Sequence, residues 1–179
     1  MTGQENIYWQ QTASRSYPVR TEQNASLSDV TVYFQYKQQD SSGKDCTRNF
    51  AKEFYEVLLP SLETVPLVAD ALQAYSHPIL NIAGNRLSKF DWVPQSLLNV
   101  WVLNYIEAVA KEVRGELHIV SGGQTGADWA GIVAAAKLGL PCVATFPKNW
   151  RQENAESQTL ETLQQRLHDD LIKLQRIIM

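Results

Sequence analysis

The sequence predicts an α/β protein. The expected form is a Rossmann-like three-layer α/β/α domain with a mainly parallel sheet, an N-terminal extension and a long C-terminal helix. Three observations carry this. From residue 79 onward, short apolar runs alternate with helical periodicity in the order strand, helix, strand, helix, strand, helix. Each apolar run stops at glycine or proline: Gly84, Gly122 and Pro147. Each intervening segment is long enough for a helical crossover, so the strands run parallel with right-handed connections.

The elements follow in order. Residues 1–28 are rich in Gln, Ser, Thr and Asn and show no period, which predicts a flexible or loosely docked arm. Residues 29–77 read as an extension packed on the core. Its strand is 30–36, where apolar and polar side chains alternate. A loop follows over 38–44, around Asp40-Ser41-Ser42-Gly43. Phe50, Phe54, Val57 and Leu58 then give a helix over 48–59, and residues 67–75 a second, short one. Residues 78–156 form the expected core. Ile79-Leu80-Asn81-Ile82-Ala83 is a buried strand. Leu97, Trp101, Tyr105, Val109 and Val113 recur every fourth residue and mark a helix closed by Gly115. Residues 116–120 are the next strand, residues 130–138 a helix ended by Gly139 and Pro141, and residues 142–146 the third strand. In 157–179, Leu160, Leu163, Leu167, Leu171, Leu174 and Ile178 step by three and four, giving an amphipathic helix with a heptad-like seam. That seam packs on its own domain or joins a homodimer.

Composition narrows the classes. The 179 residues suffice for one domain with an appendage, and 44% hydrophobic against 20% charged residues is a globular balance. A net charge of −3 argues against a general grip on nucleic acid or an anionic membrane surface. Cys46 and Cys142 stand in no metal-ligand pattern, and His77, His118 and His168 lack the spacing of a metal site or triad, so no metal is expected. The first residues carry no basic and apolar leader, and no apolar run reaches about 18 residues. A cytoplasmic location is the expectation.

The functional signal lies in three strand-to-helix loops, which a parallel sheet places along one carboxyl edge. The central one is Ser121-Gly122-Gly123-Gln124-Thr125-Gly126-Ala127-Asp128. A glycine turn between strand and helix aims backbone N–H groups and a helix N-terminus at one point, where phosphates bind. It lacks the Gly-Lys-Ser/Thr of a Walker loop and the Gly-x-Gly-x-x-Gly dinucleotide spacing. The flanking loops bring Gly84, Asn85 and Arg86 on one side, Lys148, Trp150 and Arg151 on the other. Arg86, Lys148 and Arg151 suit phosphate, Trp150 a base, Asp128 a ribose hydroxyl. Each also has a plain reading. The glycines serve a tight turn, Asp128 caps its helix, Arg86 and Lys148 are solvated charges, and Trp150 is a packed lid.

At these residues the chain resembles the SLOG superfamily, Rossmann-like domains related to LOG phosphoribohydrolases and the DNA-processing protein DprA. The stretch from Ile119 to Asp128 is most similar to the glycine motif of the molybdenum-cofactor-carrier branch. Phe146-Pro147-Lys148-Asn149-Trp150 and Gly84-Asn85-Arg86 resemble elements of small bacterial and phage SLOG proteins. The resemblance spans residues 78–152; residues 1–77 match no named pattern. It implies a nucleotide or nucleotide-derived ligand at Gly84, Arg86, Gly122, Gly123, Thr125, Gly126, Asp128 and Trp150; the loop reading adds Asn85, Ser121, Gln124 and Lys148 as ligand-binding candidates. Three activities follow from the resemblance: nucleotide binding as a sensor, carriage of a pterin phosphate (molybdopterin), or N-glycosidic hydrolysis of a nucleoside monophosphate. LOG enzymes place a glutamate inside the glycine-loop helix. Here Asp128, one methylene shorter and differently spaced, is the only acid near that position and the sole catalytic candidate.

Overall fold

The computed structural model describes residues 4–178. Residues 1–3 of the expected arm and residue 179 of the expected helix lie outside the described residues. The strands are β1 (Ile7–Gln11), β2 (Val30–Gln35), β3 (Phe54–Leu58), β4 (Ile79–Gly84), β5 (His118–Ser121) and β6 (Cys142–Phe146). The helices are α1 (Tyr17–Leu27), α2 (Ser42–Phe50), α3 (Val65–Leu72), α4 (Gln95–Glu112), α5 (Ala127–Leu138) and α6 (Leu160–Ile178). The six strands form one sheet in the order β1-β6-β5-β4-β2-β3, and every pairing is parallel. The predicted three-layer Rossmann-like architecture with its long C-terminal helix is thus the observed one.

The first 77 residues differ from expectation. Residues 7–11 are no loosely docked arm: β1 pairs with β6 along its whole length, and α1 follows it. Tyr8-Trp9 supplies the apolar content that a short edge strand needs, and Trp9 stacks on Phe146 at 6.0 Å. The helix expected over 48–59 is instead the end of α2 followed by β3. Phe50, Phe54, Val57 and Leu58 fit a helical wheel, but Phe54-Tyr55-Glu56-Val57 also fits a strand, and pairing with β2 decides between them. α2 begins inside the expected 38–44 loop, at Ser42. Ser41 caps it, its hydroxyl accepting from the Lys44 N–H at 3.1 Å. The boundary drawn between extension and core falls inside the sheet, because β1, β2 and β3 contribute half of its strands.

The two faces of the sheet have different chemistry. α3, α4 and α5 pack in series on one face, and α6 packs outside α4 and α5. α5 is buried along most of its length, between the sheet and these helices. Its apolar, alanine-rich surface and Gly131 permit that; a Cβ on Gly131 would lie 2.6 Å from Ile82 Cγ2. α6 is tied to α5 through Trp129, whose indole N–H donates to Asp170 at 2.8 Å under the Arg166 guanidinium. Leu163, Leu167 and Leu174 of the α6 seam are buried against the chain's own core. α1 and α2 pack together on the opposite face. There the inward positions of β2 and β4 are polar. Thr31, Tyr33 and Gln35 alternate with the core residues Val32 and Phe34, and Asn81 donates to Thr31 at 3.3 Å.

This asymmetry places the site. From β2 the chain turns to α2 on one face; from β4 it turns to α4 on the other. The crevice between the carboxyl ends of β2 and β4 is therefore the topological switch point, where open α/β sheets hold their ligands.

Candidate ligand-binding cleft

A cleft of about 500 Å³ opens at that switch point. Its floor is the carboxyl end of β4 with Asn85 and Arg86, one wall is α1, and the other is the start of α2 with Ser41, Ser42 and Gly43. Gln124 and Asp128 reach it from the glycine loop, and Tyr33 from β2. The volume lies within the ordinary range for small-molecule sites.

Its polar groups are incompletely paired. Among the described residues, seven buried side-chain atoms lack a hydrogen-bond partner, and five belong to cleft residues: Tyr17 Oη, Arg20 Nε, Asn24 Oδ1, Asn85 Nδ2 and Gln124 Nε2. A buried orphan costs about 1–3 kcal/mol, so such a cluster needs an explanation. The neighbouring atoms are committed, which fixes each orphan in place. Asn85 Oδ1 accepts from the Tyr33 hydroxyl at 2.9 Å, leaving its amide N–H free. Gln124 Oε1 accepts from the N–H groups of Thr125 (3.0 Å) and Glu153 (2.8 Å), leaving its own amide N–H free.

The charge at the base of the cleft is internal. Arg20 of α1 donates to Asp128 of α5 at 2.5 Å, with both side chains almost fully buried. Burial raises the Asp128 carboxyl above its usual range, and the Arg20 guanidinium pulls against that rise. Burial also raises the Tyr33 phenol; its bond to Ser41 works the other way, as do the charges of Lys44 and Arg86. Gly122 exists for Arg20: a Cβ there would overlap the guanidinium outright and lie 2.5 Å from Asp128 Oδ2.

The sequence-selected residues divide into three groups. Gly84, Asn85, Arg86, Gln124 and Asp128 line the cleft. Ser121, Gly122, Gly123, Thr125 and Gly126 build the loop behind it. The Ser121 hydroxyl lies 2.7 Å from the Asp128 carbonyl and 3.2 Å from that of Ile82, clamping α5 to the sheet. Gly123, at φ 69, lies against the Phe146 ring, where a side chain would clash. Gly126, at φ 90, brings the backbone against Asn85, with a Cβ position only 2.5 Å from the Asn85 carbonyl. Lys148 and Trp150 form the third group, and the structure does not bring them to the cleft. Lys148 is exposed and its N–H donates to Ser14 at 2.8 Å; Trp150 packs edge-on against Phe146 at 5.4 Å. The strand order explains this. β6 lies two positions beyond β4, so its loop opens away from the switch point. What that segment sends back is Gln152, which donates to the Gly123 carbonyl at 2.5 Å, and Glu153, which accepts from Thr125 and Ser88.

Sequence reasoning missed Tyr17, Arg20, Asn24, Tyr33 and the Ser41 to Gly43 cap, all in the first 50 residues. Two signals for them were present: the polar positions alternating through β2, and a Ser-Ser-Gly cluster opening a helix.

Residues 4–102 match the model of the circularly permutated YpsA SLOG family. The chain belongs to this SLOG family. The match begins just before β1 and ends within α4, and it includes the part that the sequence motifs left unassigned. The sheet has a feature that fits a permuted SLOG chain: the first strand lies beside the last, where a further crossover continuing from β4, β5 and β6 would place its strand. SLOG membership suggests nucleotide-related binding on a Rossmann-like sheet. No curated protein and no solved structure matches the chain. No helix among the described residues is long and apolar enough to cross a membrane.

Proposed function

We propose that the protein binds a nucleotide or nucleotide-derived phosphate in the cleft between β2 and β4. The observation that supports this best is the cluster of orphaned atoms on Tyr17, Arg20, Asn24, Asn85 and Gln124. It places N–H donors and the Asn24 acceptor in a cleft that Arg86 and Lys89 also line, which suits a ligand carrying both heteroatoms and negative charge. Membership in a SLOG family points the same way. A pterin phosphate presents similar chemistry, so molybdenum copurifying with the protein would favour cofactor carriage.

Asn24→Leu tests the reading. It replaces a buried orphan oxygen with a methyl group of similar shape, so the thermal midpoint holds or rises while nucleotide affinity drops. Calorimetric titration with nucleoside monophosphates and dinucleotides supplies the affinity. Wild-type protein that binds none of them, or an Asn24→Leu variant that binds as tightly as wild type, contradicts the proposal.

One observation favours a second reading, N-glycosidic hydrolysis: the raised carboxyl of Asp128 lines the cleft. That reading requires free base to be released from a nucleoside monophosphate and the release to be lost in Asp128→Asn.

A further inference from the structure

We propose that the phosphate of the bound nucleotide sits at the N-terminus of α2, against Ser42 and Gly43, and not on the glycine loop. This rests on the nucleotide reading of the cleft and specifies which end of the ligand goes where.

Only Gln124 and Asp128 of the glycine loop line the cleft, and three consecutive donors of the loop are already committed. The Thr125 N–H goes to Gln124 Oε1 at 3.0 Å, the Gly126 N–H to Gln95 Oε1 at 2.8 Å and the Ala127 N–H to the Asn85 carbonyl at 3.1 Å. An anion also lies against the loop. The Glu153 carboxylate accepts from the Thr125 hydroxyl, from the Ser88 hydroxyl at 2.8 Å and from the Ser88 N–H at 3.3 Å, with Arg86 Nε 3.9 Å away. A phosphate arriving there would meet a like charge.

α2 is in the opposite state. The first four N–H groups of a helix have no partner within it. Here the Ser41 hydroxyl takes one of them, from Lys44 at 3.1 Å, while the Ser41 carbonyl accepts the first intrahelical bond, from Asp45 at 3.0 Å. The N–H groups of Ser42 and Gly43 remain, and both residues line the cleft. Space in front of them is open, since a Cβ on Gly43 would meet nothing nearer than Ser41 Oγ at 4.0 Å. The helix dipole adds partial positive charge at this end. Both acids beside this end are engaged, Asp40 by Lys44 Nζ at 3.1 Å and Asp45 by Arg48 at 3.2 Å. Independently, three donors on residues at least nine-tenths buried, Arg20 Nε, Asn85 Nδ2 and Gln124 Nε2, lack partners in the same cleft. Tyr33, bonded to Asn85, lines the cleft together with Ser41. The phosphate thus lies at the α2 end, and the sugar and base run towards Asn85, Asn24 and Gln124.

Ser42→Pro tests this. Proline is favoured at the first helical position, and Ser41, at φ −155 and ψ 149, already has the extended backbone that precedes proline. The substitution removes one N–H and leaves the helix. Ser42→Asp is the second variant, favourable to the helix and repulsive to phosphate. Affinities for adenosine, guanosine, cytidine and uridine are measured beside those of their 5′-monophosphates. Both variants should weaken the monophosphates about tenfold or more and leave the nucleosides unchanged, and Glu153→Gln should leave the monophosphate-to-nucleoside ratio at its wild-type value. An unchanged ratio in both Ser42 variants, or a ratio raised by Glu153→Gln, overturns the assignment. Wild-type protein that binds neither nucleosides nor monophosphates overturns the nucleotide reading itself.

Discussion

Gly122→Ala should be far more damaging than a one-carbon change in a loop suggests. Gly122 does not adopt a positive φ, so the cost is steric. The new methyl group occupies the place of the Arg20 guanidinium and crowds Asp128 Oδ2 at 2.5 Å. Arg20 must leave, and Asp128 remains buried without its counter-ion. Both side chains are at most 10% exposed, so solvent screens the pair little. Breaking such a pair costs about 3–5 kcal/mol. For a chain of this length that lowers the melting temperature by about 6–20 °C. Differential scanning calorimetry measures it, within a double-mutant cycle that includes Arg20→Met. Arg20→Met alone should cost a similar amount, and adding Gly122→Ala to it should cost less than Gly122→Ala costs in wild type, because the methyl group then has only the Asp128 carboxylate to shift. The penalty also has a pH signature. In Gly122→Ala the buried Asp128 carboxyl, already raised, loses the group that held it down. A folded-state pKa above the unfolded value favours the folded protein when the acid is protonated. The penalty therefore shrinks as pH falls and is largest at neutral pH. A Gly122→Ala variant melting within about 2 °C of wild type, or penalties that simply add, would refute the reasoning.

Two further outcomes follow from the same geometry. Trp150→Ala removes the ring packed on Phe146 and should cost about 2 kcal/mol, below the range for a fully buried aromatic; neither it nor Lys148→Ala should alter nucleotide affinity, which titration of both variants checks. Glu56 lies under α2, with its carboxyl lowered; burial raises it, but hydrogen bonds from Lys44, Gln35 and Arg48 prevail. Its contribution to stability is complete above the ordinary carboxylate value of 4.5 and fades as pH falls through the lower folded-state value. Urea melts should therefore show a gap between wild type and Glu56→Gln that narrows only in the acid range, and a gap independent of pH would contradict it.

How much of this was legible in the sequence depended on where local signals sufficed. From β4 onward each strand is an apolar run closed by glycine or proline, and each helix has a clean period. Those elements and their parallel order could be read directly. β1 could not, because Ile7-Tyr8-Trp9-Gln10-Gln11 is an edge strand whose meaning comes from pairing with β6. β3 was hidden by an apolar spacing that fits helix and strand alike until β2 chooses. The site was half legible for the same reason. Glycines and arginines after strands announce a carboxyl edge, which led to Asn85, Arg86, Gln124 and Asp128. Which loops meet across that edge depends on strand order, and the order puts β2, not β6, beside β4. Arg20 and Asn24 therefore stand where Lys148 and Trp150 were expected.

The central claim, that a nucleotide occupies the cleft between β2 and β4, is tested most directly by amide NMR. The probes are the side-chain NH2 groups of Asn24, Asn85 and Gln124 and the backbone N–H groups of Ser42 and Gly43, followed through titration with nucleoside monophosphates. The account predicts saturable shifts at these five residues and none at the 148–150 turn. Shifts confined to that turn, or no saturable shift at any cleft amide, would contradict it.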